Sequence, residues 1–286
     1  MRYVHLADAE RPLAATDGEA VVALAEATGY ATLDELVVAG PGAWEKAREA
    51  AAAGLTGPEA EHLSELRIAA PLSAPPNIVA IGLNYMDHIR ETGMEEPKSP
   101  LVFAKLTSSL NGPDEDISWP RGLTDRVDWE AELAVVIGRP LRNVPVEAAL
   151  DGIFGFTAAN DVSARDLQFS DEQWVRGKSL DTFCPIGPNV VTADEFGDPQ
   201  GKKLVCRVNG VVKQESNTSL MIFSTAEIIS FLSHNFTLRP GDVILTGTPW
   251  GCGGFADPPE FLAAGDTVEV DVEGVGVLRN PVAGPT

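Results

Sequence analysis

The sequence predicts an α+β fold dominated by strands: a β-rich roll or barrel over residues 78–286, preceded by a small α/β domain over residues 1–70 and a linker at 71–77. Short runs with period-two alternation recur from Ile78 onward, each bounded by Gly, Pro, Asn or Asp, and long helical patterns are few. Residues 1 to about 70 differ in being rich in Ala and Glu, with helix punctuation. Pro71 to Asn77, PLSAPPN, is a stiff, turn-rich joint between the two.

Taken in order, Arg2 to Leu6 reads as a short strand. Thr32 and Glu35 have capping-box spacing. Pro41 starts a helix that Gly54 ends, the usual asymmetry of those two residues. His5 and His62 are isolated and read as surface or structural. After the linker, Ile78 to Gly82 is a short buried strand, followed by LNYMDHIRETG. There His88 and Glu91 stand three apart on one face of a helical turn, and Gly93 closes it. Residues 84–99 read as a polar lid. SPLVFAKL then gives a core strand ending at Lys105, which either faces the site or lies at the surface, the commoner fate for that residue.

Val127 to Gly138, VDWEAELAVVIG, reads as one strand. Trp129, Ala131 and Leu133 alternate with Asp128, Glu130 and Glu132 before the run becomes wholly apolar. Residues two apart on a strand face the same side about 6.5–7 Å from each other, so Glu130 and Glu132 aim into one space. Away from water, adjacent carboxylates require a cation or a proton between them. Asp161 ends a second apolar run, GIFGFTAAN. Three carboxylates with no Cys or His nearby suit a hard, oxygen-seeking ion. The same spacing also fits an exposed acidic strand face. Arg165 offers a fork of donors suited to a carboxylate or to a structural acid. Gln168 can donate or accept, and Lys178 precedes a turn. Leu204–Val208 and Val211–Gln214 flank Asn209-Gly210, a strong hairpin pattern. Ser224 and Glu227 have capping-box spacing ahead of an apolar helix that includes His234, read as structural. Thr248 lies in TGTP, where glycine lets the backbone approach a ligand. Gly265 to Gly276 opens a closing hairpin.

Composition bounds the rest. The chain has 286 residues, 44% hydrophobic and 22% charged, with formal net charge −21. A surface so acidic repels nucleic acid and anionic lipid, so neither is expected as a partner. An anionic substrate would require cations gathered at its site. Three scattered cysteines fit a reducing cytosol better than a disulfide framework. The opening MRYVHLADAE lacks the pattern of a signal peptide, and no apolar run is long enough to span a bilayer. A cytoplasmic location is therefore expected.

The ordered set ExELAVVIG, NDVSARDxQ, GKSLDTFCPIGP and LTGTPxG, running from about Ile78 to the C-terminus, resembles the fumarylacetoacetate hydrolase family. The resemblance implies a mixed β-sandwich roll, usually dimeric, and an N-terminal extension as in many bacterial members. It implies Mg2+ or Mn2+ held by Glu130, Glu132 and Asp161. A 2-keto acid substrate would be fixed by Arg165, Gln168 and Thr248. Lys178 would stabilise an enolate, and His88 with Glu91 would form a proton-relay pair on the lid. The leading expectation is hydrolysis of a 3-acylpyruvate-like diketo acid. Decarboxylation of oxaloacetate is the close rival, and isomerisation or hydration of a 2-keto enoate is third. A non-catalytic binding protein would not need the complete set of acids, His–Glu pair and lysine.

Overall fold

The computed structural model describes the whole chain, Met1–Thr286. Its centre is a long mixed sheet. From edge to edge the strands are Glu61–His62, Ala20–Ala23, Leu13–Thr16, Arg2–Leu6, Cys184–Thr192, Ile153–Asn160, Ala131–Ile137, Val243–Leu245, Ile78–Gly82 and Leu101–Lys105. Neighbours on this path are antiparallel except Val243–Leu245 beside Ile78–Gly82. A second, five-stranded sheet carries the Lys203–Val208 and Val211–Asn217 hairpin, Thr267–Val272, Gly276–Pro285 and Ile117–Trp119. The expected strand-rich α+β sandwich is therefore present.

The central strands are buried on both faces, which explains why their sequences lose alternation and become uniformly apolar. Leu133, Val135 and Ile137 face a core shared with the second sheet, including Leu204, Val268 and Leu278. Ala134 and Val136 face the opposite core, together with Phe154 and the N-terminal Leu36, Ala47 and Ala51. The N-terminal strands extend the central sheet, because Arg2 and Tyr3 pair with Val191 and Val190.

Several local expectations hold at the residue level. The helix Pro41–Gly54 has the expected bounds. Asn209 and Gly210 both have positive φ, 54° and 76°, as a two-residue hairpin of matching twist requires. Ser224 and Glu227 form a complete capping box at the Thr225–Asn235 helix. The Thr32 cap is only half of one. Thr32 accepts from Glu35 N, but the Glu35 carboxylate turns to the Ala31 N–H.

One expectation is corrected. Val127 to Gly138 is not a single strand. Val127–Asp128 pairs with Ser163–Ala164, whereas Ala131–Ile137 pairs with Ile153–Asn160. The chain changes partners at Trp129-Glu130, and the buried Trp129 indole fixes the bend by donating to Gly251 O at 3.0 Å. No helix is long and apolar enough to cross a membrane.

Candidate active site and metal centre

The acidic cluster follows from strand register. Glu132 lies opposite Ala159 in the antiparallel pair, and the ladder continues past it, with Asp161 N donating to Glu130 O at 2.9 Å. Two residues far apart in sequence thereby face each other at one strand end. Glu130, Glu132 and Asp161 are all buried, and one oxygen from each lies within 4.8 Å of the others. Such a set requires positive charge.

Part of that charge comes from the chain. Lys178 Nζ donates to Glu130 Oε2 at 2.7 Å and to Asp161 Oδ2 at 2.8 Å. Lys105 Nζ donates to Asp161 Oδ1 at 2.5 Å and also to the Lys178 carbonyl. Lys105 is thus fully buried and faces the site, not the surface. It ends a strand whose register against Ile78–Gly82 aims it at the acids. Burial alone would raise the Glu130 carboxyl, but Lys178 and Arg165 outweigh it and bring it down to about 2. Glu132 goes the other way. Burial, with Asp161 and Glu130 beside it, pushes it well above the usual carboxylate range. Its one recorded hydrogen bond is from Gly247 N at 2.6 Å. Three carboxylate ligands, one of them short of positive partners, fit a hard divalent cation.

Arg165 begins a short helix and reaches back across the site. Its Nε donates to Asp128 Oδ2 at 2.7 Å, and its Nη1 donates to Glu130 Oε1 at 2.6 Å and Gln168 Oε1 at 2.9 Å. Its Nη2 is buried without a partner. An orphaned guanidinium nitrogen is costly unless something arrives to accept from it. Asp128, which sequence reasoning passed over, also accepts from the backbone N–H groups of Trp129, Gly253 and Gly254. Its position two residues before Glu130 is the same parity that exposed the glutamates. Gln214, also missed, joins Thr248 to the Glu130–Glu132 strand. Its Nε2 donates to Thr248 Oγ1 at 2.9 Å and its Oε1 accepts from Ala131 N at 2.8 Å.

His88 and Glu91 lie on the helix Met86–Thr92, which ends at Gly93 with φ 67°. His88 Nδ1 meets Glu91 Oε2 at 2.9 Å, leaving Nε2 with no protein partner. Glu91 Oε1 accepts from Gly251 N at 2.8 Å, which fastens this helix to the loop after Thr248. Phe255 of that loop packs edge-on to the His88 ring, with centroids 5.3 Å apart. A narrow cleft is lined by His88, Glu130, Arg165, Gln168, Lys178 and Thr248 together with apolar side chains. Glu132 and Asp161 share the carboxylate cluster with Glu130, and Glu91 backs His88. The candidate residues thus form one site, with a basic group, a free guanidinium nitrogen and a three-carboxylate cluster around one small-molecule space.

A mixed sandwich with an acidic strand end under such a cleft defines a protein class, and the comparisons agree on which. The family model for the C-terminal domain of fumarylacetoacetate hydrolase matches residues 77–283, and the chain belongs to that family. The mitochondrial oxaloacetate tautomerase FAHD2A of Bos taurus is 48% identical over 221 residues, 77% of this chain and 70% of the relative. Among solved structures, a fumarylacetoacetate hydrolase from Exiguobacterium antarcticum aligns with a TM-score of 0.87 at 35% identity, covering 99% of both chains. A 2-hydroxyhepta-2,4-diene-1,7-dioate isomerase from Mycobacterium marinum aligns with a TM-score of 0.70 at 42% identity over 81% of this chain and 82% of that one. Its relatives are enzymes, named for tautomerisation, isomerisation and hydrolysis.

Proposed function

We propose that this protein interconverts the keto and enol forms of a small 2-oxo acid. The observation that carries the reading is the His88–Glu91 pair facing the same cleft as the unpaired Arg165 Nη2 and Lys178. A divalent cation held by Glu130, Glu132 and Asp161 would polarise the 2-keto group and acidify C3. Arg165 Nη2 and the Thr248 hydroxyl bind the C1 carboxylate. His88 Nε2 takes a proton from C3, while Glu91 holds the ring through Nδ1. The Lys178 ammonium favours the enolate charge that develops at O2; O2 then takes a proton from solvent to complete the enol, and His88 gives its proton back to solvent. The tautomerase and isomerase names among the relatives support this order of preference.

Hydrolysis of a 3-acylpyruvate remains the second reading, because a His–Glu pair beside a cleft can also activate water. Decarboxylation of oxaloacetate needs only the enolate-stabilising half of the site. Three assays on one preparation separate them: ultraviolet absorbance of enol oxaloacetate, loss of acetylpyruvate, and pyruvate release from oxaloacetate. Tautomerisation should stop on chelation and return with Mg2+ or Mn2+. His88→Ala should lower it by about 10²–10⁴, the usual loss for a general base. The same variant should keep its affinity for the ion and retain any decarboxylation. Full tautomerase activity in a verified ion-free preparation, or in His88→Ala, would refute the mechanism.

A further inference from the structure

The cleft has two unlike ends. The inner end is polar and closed: His88, Glu130, Arg165, Gln168, Lys178 and Thr248 are all buried. The outer end is apolar and open. Phe103, Trp174 and Phe255 are partly buried there, and Met94 and Phe169 are exposed, Phe169 to 54%. Its rings support one another edge to face, Phe103 on Trp174 at 5.3 Å and Phe169 on Phe255 at 6.3 Å. Leu83, also on the cleft wall, is held at φ 56°, a left-handed conformation rare for leucine and common where local structure serves a site.

The cations are all committed at the inner end. Lys178 is shared between Glu130 and Asp161. Arg165 gives Nε and Nη1 to Asp128, Glu130 and Gln168, so only Nη2 remains, and the C1 carboxylate takes it. No Lys or Arg lines the outer end of the cleft; Arg126 lies in the adjoining groove with Phe169 and Arg165, its Nε 4.0 Å from Asp125 Oδ1. Arg176, on the same short helix as Lys178, is held by both oxygens of Asp171, and Arg90 of the lid helix does not line the cleft. A second carboxylate on the substrate would lie against aromatic rings with no partner, an arrangement strongly disfavoured by desolvation.

We infer that the distal group of the substrate is uncharged and apolar, an aryl or alkyl substituent on C3, and that Phe103, Phe169, Trp174, Phe255 and Met94 select it. This rests on the reading of the inner end as a 2-oxo acid site, and it narrows the substrate class from dianions to monoanionic 2-oxo acids. Phenylpyruvate and oxaloacetate then form the decisive pair, since they share the 2-oxo acid head and differ in a phenyl or a carboxylate on C3. With Mg2+ present, kcat/KM for tautomerisation should favour phenylpyruvate by on the order of tenfold or more, the scale on which apolar pockets discriminate. Phe169→Ala, at an exposed position that leaves the core intact, and Trp174→Ala should bring the ratio of the two kcat/KM values towards one. A preference for oxaloacetate that neither variant alters overturns the inference.

Binding of two non-enolisable probes separates this from the reaction itself. Oxanilate carries the phenyl group and N-oxalylglycine a second carboxylate. Oxanilate should raise Tm of the Mg2+-loaded protein more than N-oxalylglycine does, and Phe169→Ala should reduce that difference. That result without turnover of any 2-oxo acid would sustain the apolar rim and reject the proposed reaction. An equal or smaller shift with oxanilate, or none with either probe, would reject the rim.

Discussion

Glu132 is the least compensated of the three clustered acids, since Lys178 bonds to the other two and Lys105 to Asp161. Replacing its charge by an isosteric amide should therefore separate stability from ion binding. In chelator, Glu132→Gln should unfold at the same temperature as the parent or higher, because a neutral isostere replaces the group whose charge burial, Asp161 and Glu130 disfavour. Mg2+ or Mn2+ should raise the Tm of the parent by mass action, and in the variant that rise should be absent or much reduced. A variant that melts far below the chelated parent would show that Glu132 is held by contacts the charge argument omits. These acids were legible because strand parity is a local property: Glu130 and Glu132 reveal their common face within three residues. Lys105 was not legible. Its burial depends on Asp161 and on the Lys178 carbonyl, distant in sequence, and nothing in LVFAKL distinguishes a buried lysine from an exposed one. The guanidinium of Arg165 could have taken several acids, and only the folded chain selects Asp128 and Glu130.

Elements place these residues through close backbone approach. The short helix Val175–Lys178 meets the Arg165–Ser170 helix at Gly177, where a Cβ would come within 2.6 Å of Gln168 N and 3.0 Å of Ala164 O. Gly177→Ala must push the two helices apart, at about 1–3 kcal/mol for overpacking. The shift falls on Lys178 and Gln168, so kcat should fall while the ion still binds through acids on other strands. Unchanged kinetics would show that the helices can part without moving those side chains. Away from the site, the capping box at Ser224 gives a stability test with a defined pH dependence. The Ser224 hydroxyl and N–H both donate to Glu227 Oε2, at 2.7 and 2.8 Å, and hold its carboxyl below its ordinary 4.5. A depressed acid contributes stability above its unfolded pKa and loses it as pH falls through its folded value. Ser224→Ala should cost about 1 kcal/mol near neutrality, and the gap in stability between parent and variant should narrow in acid. This box and the Asn209-Gly210 turn were readable because their partners lie within a few residues. The break at Trp129-Glu130 was not, since it arises where the partner strand itself gives way to Asp161-Val162.

At the scale of the molecule, two exposed features lie at opposite ends of the long sheet. The Leu101–Lys105 strand leaves its outer edge unpaired and presents Leu101, Val102 and nearby Leu106 to solvent. An apolar free edge invites pairing with another chain, and we expect a second copy of this chain to cover it; light scattering at micromolar concentration should report a dimer. At the other end, residues 1 to about 70 have a composition of their own, and the family match begins only at residue 77. Their strands nevertheless join the central sheet through Arg2 and Tyr3, and Leu36, Val37, Ala47 and Ala51 of their helices share one buried core with Phe154, Val136, Ile186 and Val190. Trp44 meets Phe154 edge-on at 5.1 Å, and Arg48 bonds to Asp194 at 2.7 Å. Removing the segment would open that shared core to water. Each large side chain re-exposed costs about 1.5–3 kcal/mol, so a few of them amount to much of the net stability of a typical domain, about 5–15 kcal/mol. The loss would also reach the site, because the strand that pairs with Arg2 and Tyr3 also pairs with Ile153–Asn160, the strand that leads into Asp161. A chain comprising residues 71–286 should therefore be insoluble or unfold without a cooperative transition, and should bind no Mg2+ or Mn2+. Leu36→Ala in the full chain, a milder intervention in the same core, should lower stability by about 2–5 kcal/mol while leaving kcat near that of the parent. A soluble, cooperatively melting and active 71–286 chain would show that the N-terminal segment is an appendage to a self-sufficient catalytic sandwich.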